Sequence, residues 1–477
     1  MTSKKKDTYS GLSDSSAVKD VKALLSAYVP NSDPSINVLH RPLGDLASNE
    51  LLRGHSQWGN NKVNASGVLE LNYHFLQTAP SIMSRFDISG FSTFNPEQKQ
   101  SALLSLQSWS DVANIKFTEV SKLSDANITF GFFNHSNNGD YAFATLPRGQ
   151  NTTYSWYNVQ NYTFKINDIG VNGYGRQTFT HEIGHTLGLE HPADYDASDA
   201  VRPTYNNMSQ YFEDSRAYTV MSYFSEKYTG QDFKGAYSSA PLLNDISAIQ
   251  TLYGANMETR KGDTIYGFNS NTDRDFMTAT NANSKLLFSV WDAGGNDTFD
   301  FSGFTQDQRI HLHAGAFSDV GGLKGNVSIA RGVVIENAIG GSGNDVIVGN
   351  SADNVLKGGA GNDIIYGDLG GDHLWGGAGR DTFVYLKGDE SRSDNPDWIH
   401  DFMSGEDKID LSQFNFGDKN DLKFVDSFSG KAGEILLTYD ELANVTDMSV
   451  SLGGALAGND FLVKIIGQPL SEADFIV

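Results

Sequence analysis

Between Gly340 and Val384 the chain repeats a nine-residue unit five times: GGSGNDVIV, GNSADNVLK, GGAGNDIIY, GDLGGDHLW and GGAGRDTFV. A large apolar side chain returns at position eight, as Ile347, Leu356, Ile365, Leu374 and Phe383. An acid or its amide returns at position six, as Asp345, Asn354, Asp363, Asp372 and Asp381. Thirteen glycines in these forty-five residues forbid a stable helix and suit tight turns, where the backbone needs positive φ and close approach to an ion. Each unit therefore reads as a turn followed by a short strand, with the position-eight side chains stacked into one narrow core.

This pattern resembles the G-G-x-G-x-D-x-U-x repeat of calcium-binding parallel β-rolls. Glycine turns such as those at Gly341, Gly343 and Gly358 present carbonyl oxygens, and the position-six Asp adds a hard anionic ligand. Turns on one side of a roll recur every eighteen residues, so Asp345, Asp363 and Asp381 are expected in one column, with Asn354 and Asp372 in the other. The second unit departs from the pattern at Asn350, Ala352 and Asn354, and its column is expected to hold calcium less tightly.

The formal charge of −23 argues against a nucleic-acid partner, since phosphate binding depends on a surplus of Lys and Arg, and it suits a chain that gathers calcium. There is no cysteine, which removes disulfides and thiolate ligands. Residues 1 to about 20 are Ser-rich and Lys-rich, a composition that resists ordering. No apolar run follows them, so no cleaved N-terminal signal peptide is expected, and no segment reaches the ~20 apolar residues of a membrane span. Helices are predicted over about Val18–Tyr28 and Gln98–Val112, and strands over Ile115–Val120, Asn127–Phe133 and Tyr141–Leu146, a mixed α/β pattern up to about residue 255.

That first half contains H-E-x-x-H-x-x-G-x-x-H from His181 to His191. On a helix His181 and His185 share a face, and Gly188 can end the helix in a left-handed turn that brings His191 round as a third nitrogen ligand. Three imidazoles with an open position describe a catalytic zinc site. Glu182 would sit beside the zinc-bound water as general base. Chance occurrence of these five residues at fixed spacing is roughly one in 10⁵ for a chain of this length, whereas His40, His74, His135 and His400 carry no such pattern.

The motif resembles the metzincin zinc peptidases, whose methionine turn is matched by Tyr218-Thr-Val-Met221-Ser222-Tyr223-Phe224. Within them the whole chain is similar to the serralysins, bacterial peptidases that join such a domain to a calcium-binding repeat domain. The resemblance implies an α/β (α+β) zincin catalytic domain over 21–255, an all-β parallel β-roll domain over 256–477, and a propeptide over about 1–20. It makes Tyr223 a further zinc ligand that swings away to hydrogen-bond the tetrahedral intermediate. Many relatives carry Trp where this chain has Phe224, which keeps aromatic packing.

The resemblance also implies further calcium loops at Arg260, Gly262 and Thr264 and at Asp292, Gly294, Gly295 and Asp297, with Glu336 as a ligand. Peptide substrates would add as a strand along a sheet edge, for which Tyr141–Leu146 is the candidate. No charged residue of the sequence stands out as dictating a side-chain preference. The tail Glu472–Val477 resembles the uncleaved signal of type I secretion, so an ABC exporter, an extracellular location, calcium-driven folding after export and a small periplasmic inhibitor are all implied. A monomer, without membrane insertion, degrading proteins for nutrition or virulence is the expectation. The alternative is a calcium-dependent adhesin or toxin whose metzincin-like domain only binds.

Overall fold

The computed structural model describes residues 14–30, 39–136, 141–159, 168–196, 201–416, 422–453, 461–467 and 469–477. It divides into two compact units. One comprises Ala27–Asp300 with His313–Ile335, and the other Met1–Ser26, Phe301–Leu312 and Glu336–Val477. Residue 255 lies inside the first of these.

The first unit is built on a five-stranded sheet in the order Ile115–Glu119, Leu69–Phe75, Ile128–Phe133, Thr153–Asn158, Ala142–Ala144. Its first four strands are parallel, and Ala142–Ala144 closes one edge antiparallel to Thr153–Asn158. The candidate edge segment Tyr141–Leu146 is thus the outermost strand. Ile128–Phe133 is buried along its whole length, as a strand covered on both faces must be. The helix Pro96–Val112 begins with a capping box, in which Asn95 Oδ1 accepts from Gln98 N at 2.8 Å and Gln98 Oε1 accepts from Asn95 N at 2.9 Å. It packs against a second helix, Tyr174–Leu187, and buries Leu106, Trp109 and Val112.

In the other unit the repeats form two parallel sheets, with successive strands alternating between them. One contains Val346–Val348, Ile364–Tyr366, Thr382–Val384 and Lys408–Asp410, and the other Asn337–Ile339, Val355–Ala360, His373–Ala378 and Asp397–Ile399. The register pairs Ile347 with Ile365, Ile365 with Phe383, and Leu356 with Leu374, so position-eight side chains stack at an eighteen-residue interval and are fully or almost fully buried. The tail strand Phe475–Ile476 pairs in parallel with Lys408–Asp410.

The N-terminal segment forms the helix expected over about Val18–Tyr28, begun two residues earlier and within the residues expected to resist ordering. From Ser16 to Leu25 it is helical, because Ser15 Oγ caps Val18 N at 3.1 Å and Ala17, Val18, Val21 and Leu24 form a buried stripe. That stripe packs on the roll strands Val346–Val348 and Ile364–Tyr366. Residues 1–13 lie outside the described residues. Among the described residues no helix is long and apolar enough to cross a membrane.

Candidate metal centre and the repeat roll

The helix Tyr174–Leu187 turns Phe179, Ile183 and Leu187 into the core and carries His181, Glu182 and His185. It stops at Gly188, whose φ of +110° lets its N–H reach His185 O at 2.9 Å while Leu189 N reaches Gly184 O at 3.0 Å. A Cβ at Gly188 would stand 2.1 Å from the backbone oxygen of Ser56, so glycine is required by conformation and by space. The reversal returns the chain to place His191 beside the other two histidines.

The three Nε2 atoms then lie 3.1, 3.2 and 3.3 Å apart. Each Nδ1 faces a backbone carbonyl: Val220 O at 2.8 Å for His181, Leu189 O at 2.7 Å for His185, and Tyr195 O at 2.8 Å for His191. Nδ1–H donates in each case, so three Nε2 lone pairs converge on one point. Tetrahedral zinc with Zn–N near 2.0–2.1 Å separates its ligands by about 3.3–3.4 Å, which the spacing fits. Burial first, and a neighbouring imidazole second, lower all three pKa values to about 3, so the rings stay neutral. Among the described residues these histidines are the one cluster able to hold an ion through three His, Cys, Asp or Glu side chains.

Met221 lies beneath, fully buried, and a Cβ on Gly184 would stand 2.7 Å from its Sδ. Glycine between the two helix-borne histidines therefore makes room for the methionine. The Tyr223 ring sits 4.5 Å from that of His191 and 5.2 Å from that of Tyr195, and Phe224 packs at 4.9 Å on Tyr195. Glu182 is buried; after burial itself, its charge is the next cause that raises the Tyr157 phenol well above its usual value.

A cavity of about 730 Å³ opens beside the trio, lined by Tyr141, Tyr174, His181, Tyr223 and Tyr237 among others. Charged residues line it too: Arg202, Arg216 and Asp168. None of the three stands out in the sequence. Arg216 stacks over Tyr237 at 5.0 Å and pairs with Glu226 at 3.7 Å. Nothing in the local sequence around these residues signals the cavity, because the fold alone brings them to the helix.

The columns of the roll are laid out by hydrogen bonds between a position-six carboxylate and the peptide eighteen residues earlier. Asp363 Oδ1 accepts from Asp345 N at 2.7 Å, Asp381 Oδ1 from Asp363 N at 2.8 Å, and Asp372 Oδ1 from Asn354 N at 2.8 Å. The partner oxygens, Oδ2 of Asp363, Asp372 and Asp381, are buried with no hydrogen-bond donor among the described residues. Each crowds a glycine: a Cβ on Gly358, Gly367 or Gly376 would lie 2.1–2.3 Å from the Oδ2 of Asp363, Asp372 or Asp381. Buried carboxylate oxygens facing stacked glycine turns fit a hard divalent cation such as calcium.

Asp345 differs, since Gly341 N and Gln308 N supply both its oxygens at 2.5 and 2.7 Å. At Asn354 the amide nitrogen donates to Glu336 O at 2.8 Å and Asn350 Oδ1 at 3.1 Å, standing where a cation would otherwise satisfy oxygens. Gly343 packs in the same stack, its carbonyl 2.1 Å from where a Cβ on Gly361 would be. Two further members escape the nine-residue spacing: Asp397 Oδ1 accepts from Asp372 N and Asp407 Oδ1 from Asp381 N, both at 2.9 Å.

The upstream loops also meet. Asp297 Oδ1 accepts from Thr264 N at 2.8 Å, and a Cβ on Gly295 would touch the Gly262 carbonyl at 2.7 Å. Arg260 holds Trp291 O at 2.7 Å through Nη2, and Asp292 accepts from Gly294 N at 2.8 Å and from the Tyr266 hydroxyl at 2.6 Å.

A family model described as Metallo-peptidase family M12 matches residues 58–233, and one described as Peptidase M10 serralysin C terminal matches 255–477. Serralysin of Photorhabdus luminescens is 62% identical, with 100% of this chain and 99% of that protein aligned. The chain belongs to the serralysin family. Serralysin A of Dickeya chrysanthemi is 50% identical over 100% of this chain and 99% of its own, and Metalloprotease AprA of Pseudomonas entomophila 54% identical over 92% and 90%. As a serralysin this protein is a zinc metalloendopeptidase, with an α/β protease domain followed by a many-stranded β domain.

Proposed function

We propose that His181, His185, His191 and, in the resting state, Tyr223 hold the catalytic zinc of a secreted endopeptidase of broad specificity. The observation that carries this reading is the convergence of three Nε2 atoms within 3.3 Å, each imidazole backed by a carbonyl, beside a buried Glu182 and an open cavity. A zinc ion held there supplies a Lewis acid that polarises a peptide carbonyl and makes water nucleophilic near neutral pH. Glu182 takes the proton of the attacking water and passes it to the leaving amine. Tyr223 donates a hydrogen bond to the oxyanion as charge develops. The substrate backbone adds as a strand along Ala142–Ala144, so main-chain contacts supply affinity whatever the side chains.

In the same reading, a propeptide of about twenty residues precedes a catalytic portion over 21–255 and a calcium-binding portion over 256–477. Arg260, Gly262, Thr264, Asp292, Gly294, Gly295, Asp297, Glu336, Gly341, Gly343, Gly358 and the Asp columns hold calcium. An ABC exporter reads the tail, and external calcium folds the roll, because ions that bind only the native state supply folding free energy. A small periplasmic inhibitor would protect the producing cell. The test is incubation with a peptide library, with and without a zinc chelator, read by mass spectrometry. Chelator-sensitive cleavage at many sites is expected; intact peptides in the presence of one bound zinc per chain would favour a binding module.

A further inference from the structure

Two fully buried carboxylates lie behind the histidines, and the mechanism above uses neither. Asp245, in the first turn of the helix Leu243–Tyr253, accepts from Thr219 Oγ1 at 2.5 Å through Oδ1. Its Oδ2 accepts from Val220 N at 2.8 Å and Leu242 N at 2.9 Å. Val220 O is the acceptor of the His181 Nδ1–H. Asp214 takes the Tyr195 hydroxyl at 2.9 Å and the Ser222 hydroxyl at 2.7 Å, both on Oδ1. Tyr195 O is the acceptor of the His191 Nδ1–H, and the two rings stack at 5.3 Å. Ser222 Oγ in turn accepts from Phe224 N at 3.1 Å, which fixes the turn that carries Tyr223.

Each carboxylate is thus one residue removed from a histidine of the trio. One clamps the front of the methionine turn and the other ties its back to the segment after His191. His185 needs no such partner, because its acceptor, Leu189 O, belongs to the helix-terminating turn itself. We infer that Asp214 and Asp245 are positioning residues for the metal centre, an inference that rests on the trio being the zinc site. They hold the Tyr195 and Val220 carbonyls that orient His191 and His181.

The geometry separates the amide variants from the alanine ones. The Tyr195 and Ser222 hydroxyls both reach one oxygen of Asp214, so Asp214→Asn keeps that acceptor and both bonds. Asp245→Asn can likewise keep its oxygen on Val220 N and Leu242 N and turn its N–H to Thr219 Oγ1, which accepts, so Asp245→Ala is the change that removes the clamp. The test is a zinc titration against a competing chelator on the full chain, with kcat and KM, and with the melting temperature of the zinc-free protein. Asp214→Ala and Asp245→Ala should weaken zinc by roughly 10–100-fold and lower kcat with KM little changed, while Asp214→Asn stays near wild type. If a variant fails to fold, Tyr195→Phe removes a single hydroxyl and should still weaken zinc measurably. Lower melting temperature with zinc affinity within twofold of wild type in Asp245→Ala and Tyr195→Phe would overturn the inference and leave only a structural role. A His181→Ala control separates the two levels: unchanged zinc affinity there overturns the zinc site and the positioning role together.

Discussion

Gly188→Ala is the smallest change that should dismantle the metal centre. At φ +110° the residue lies beyond the left-handed region other residues visit, and holding alanine there costs about 1–3 kcal/mol. The new Cβ would stand 2.1 Å from Ser56 O, a backbone atom that cannot swing aside, so the two segments must part by roughly an ångström. Overpacking of that kind adds about 1–3 kcal/mol, for a sum of about 2–6 kcal/mol. At ~2–4 °C per kcal/mol the melting temperature should fall by roughly 4–24 °C. Because His191 follows three residues later, the displacement should also weaken zinc more than tenfold. Gly332→Ala is the control, with φ +83° but nothing within 4 Å of the new Cβ, so it bears the strain without the clash. Calorimetry with a parallel zinc titration decides the matter. A Gly188→Ala protein melting within 2 °C of wild type with unchanged zinc affinity would refute the reasoning.

Removing calcium should lower the melting temperature and raise hydrogen exchange beyond about residue 330 before zinc is lost; a far-UV circular dichroism spectrum unchanged by chelation would contradict this. In the calcium-free protein, burial raises Asp345 and Asp381 to about 6 and Asp363 to about 7, so the fold binds more protons than the unfolded chain. The stability these groups contribute is present below about pH 4 and lost as pH rises through 6 to 7, so calcium-free protein should melt higher at pH 5 than at pH 8. Asp363→Asn should weaken calcium binding yet stabilise the calcium-free roll, as the amide at Asn354 already does by donating to two oxygens; calcium titration and melting of the metal-free variant check both.

The parts legible in the sequence are those whose partners are close along the chain or recur at a fixed interval. The three histidines, Glu182 and the helix-terminating Gly188 fall within eleven residues, His181 to His191, and the columns of Asp363 and Asp372 follow from one period. Asp397 and Asp407 extend those columns at intervals of 25 and 26 residues, because the hydrogen bond to the previous layer needs spatial register and tolerates inserted chain. Asp214 and Asp245 were illegible for a related reason: their roles depend on Tyr195 and Val220, brought to them by tertiary packing. The N-terminal helix is legible from its apolar spacing at Val18, Val21 and Leu24, but its start at Ser16 is not, because the Ser15 cap lies within a polar stretch whose composition resists ordering.

The most direct test of the account is Glu182→Gln, which keeps the shape of the side chain and removes its ability to accept a proton. Zinc content by mass spectrometry and cleavage of an unfolded protein are measured on the same sample, prepared with calcium present. One zinc per chain with cleavage reduced by about 10²–10⁴-fold is the predicted result. Undiminished cleavage with zinc in place would contradict the assignment of Glu182 as the base.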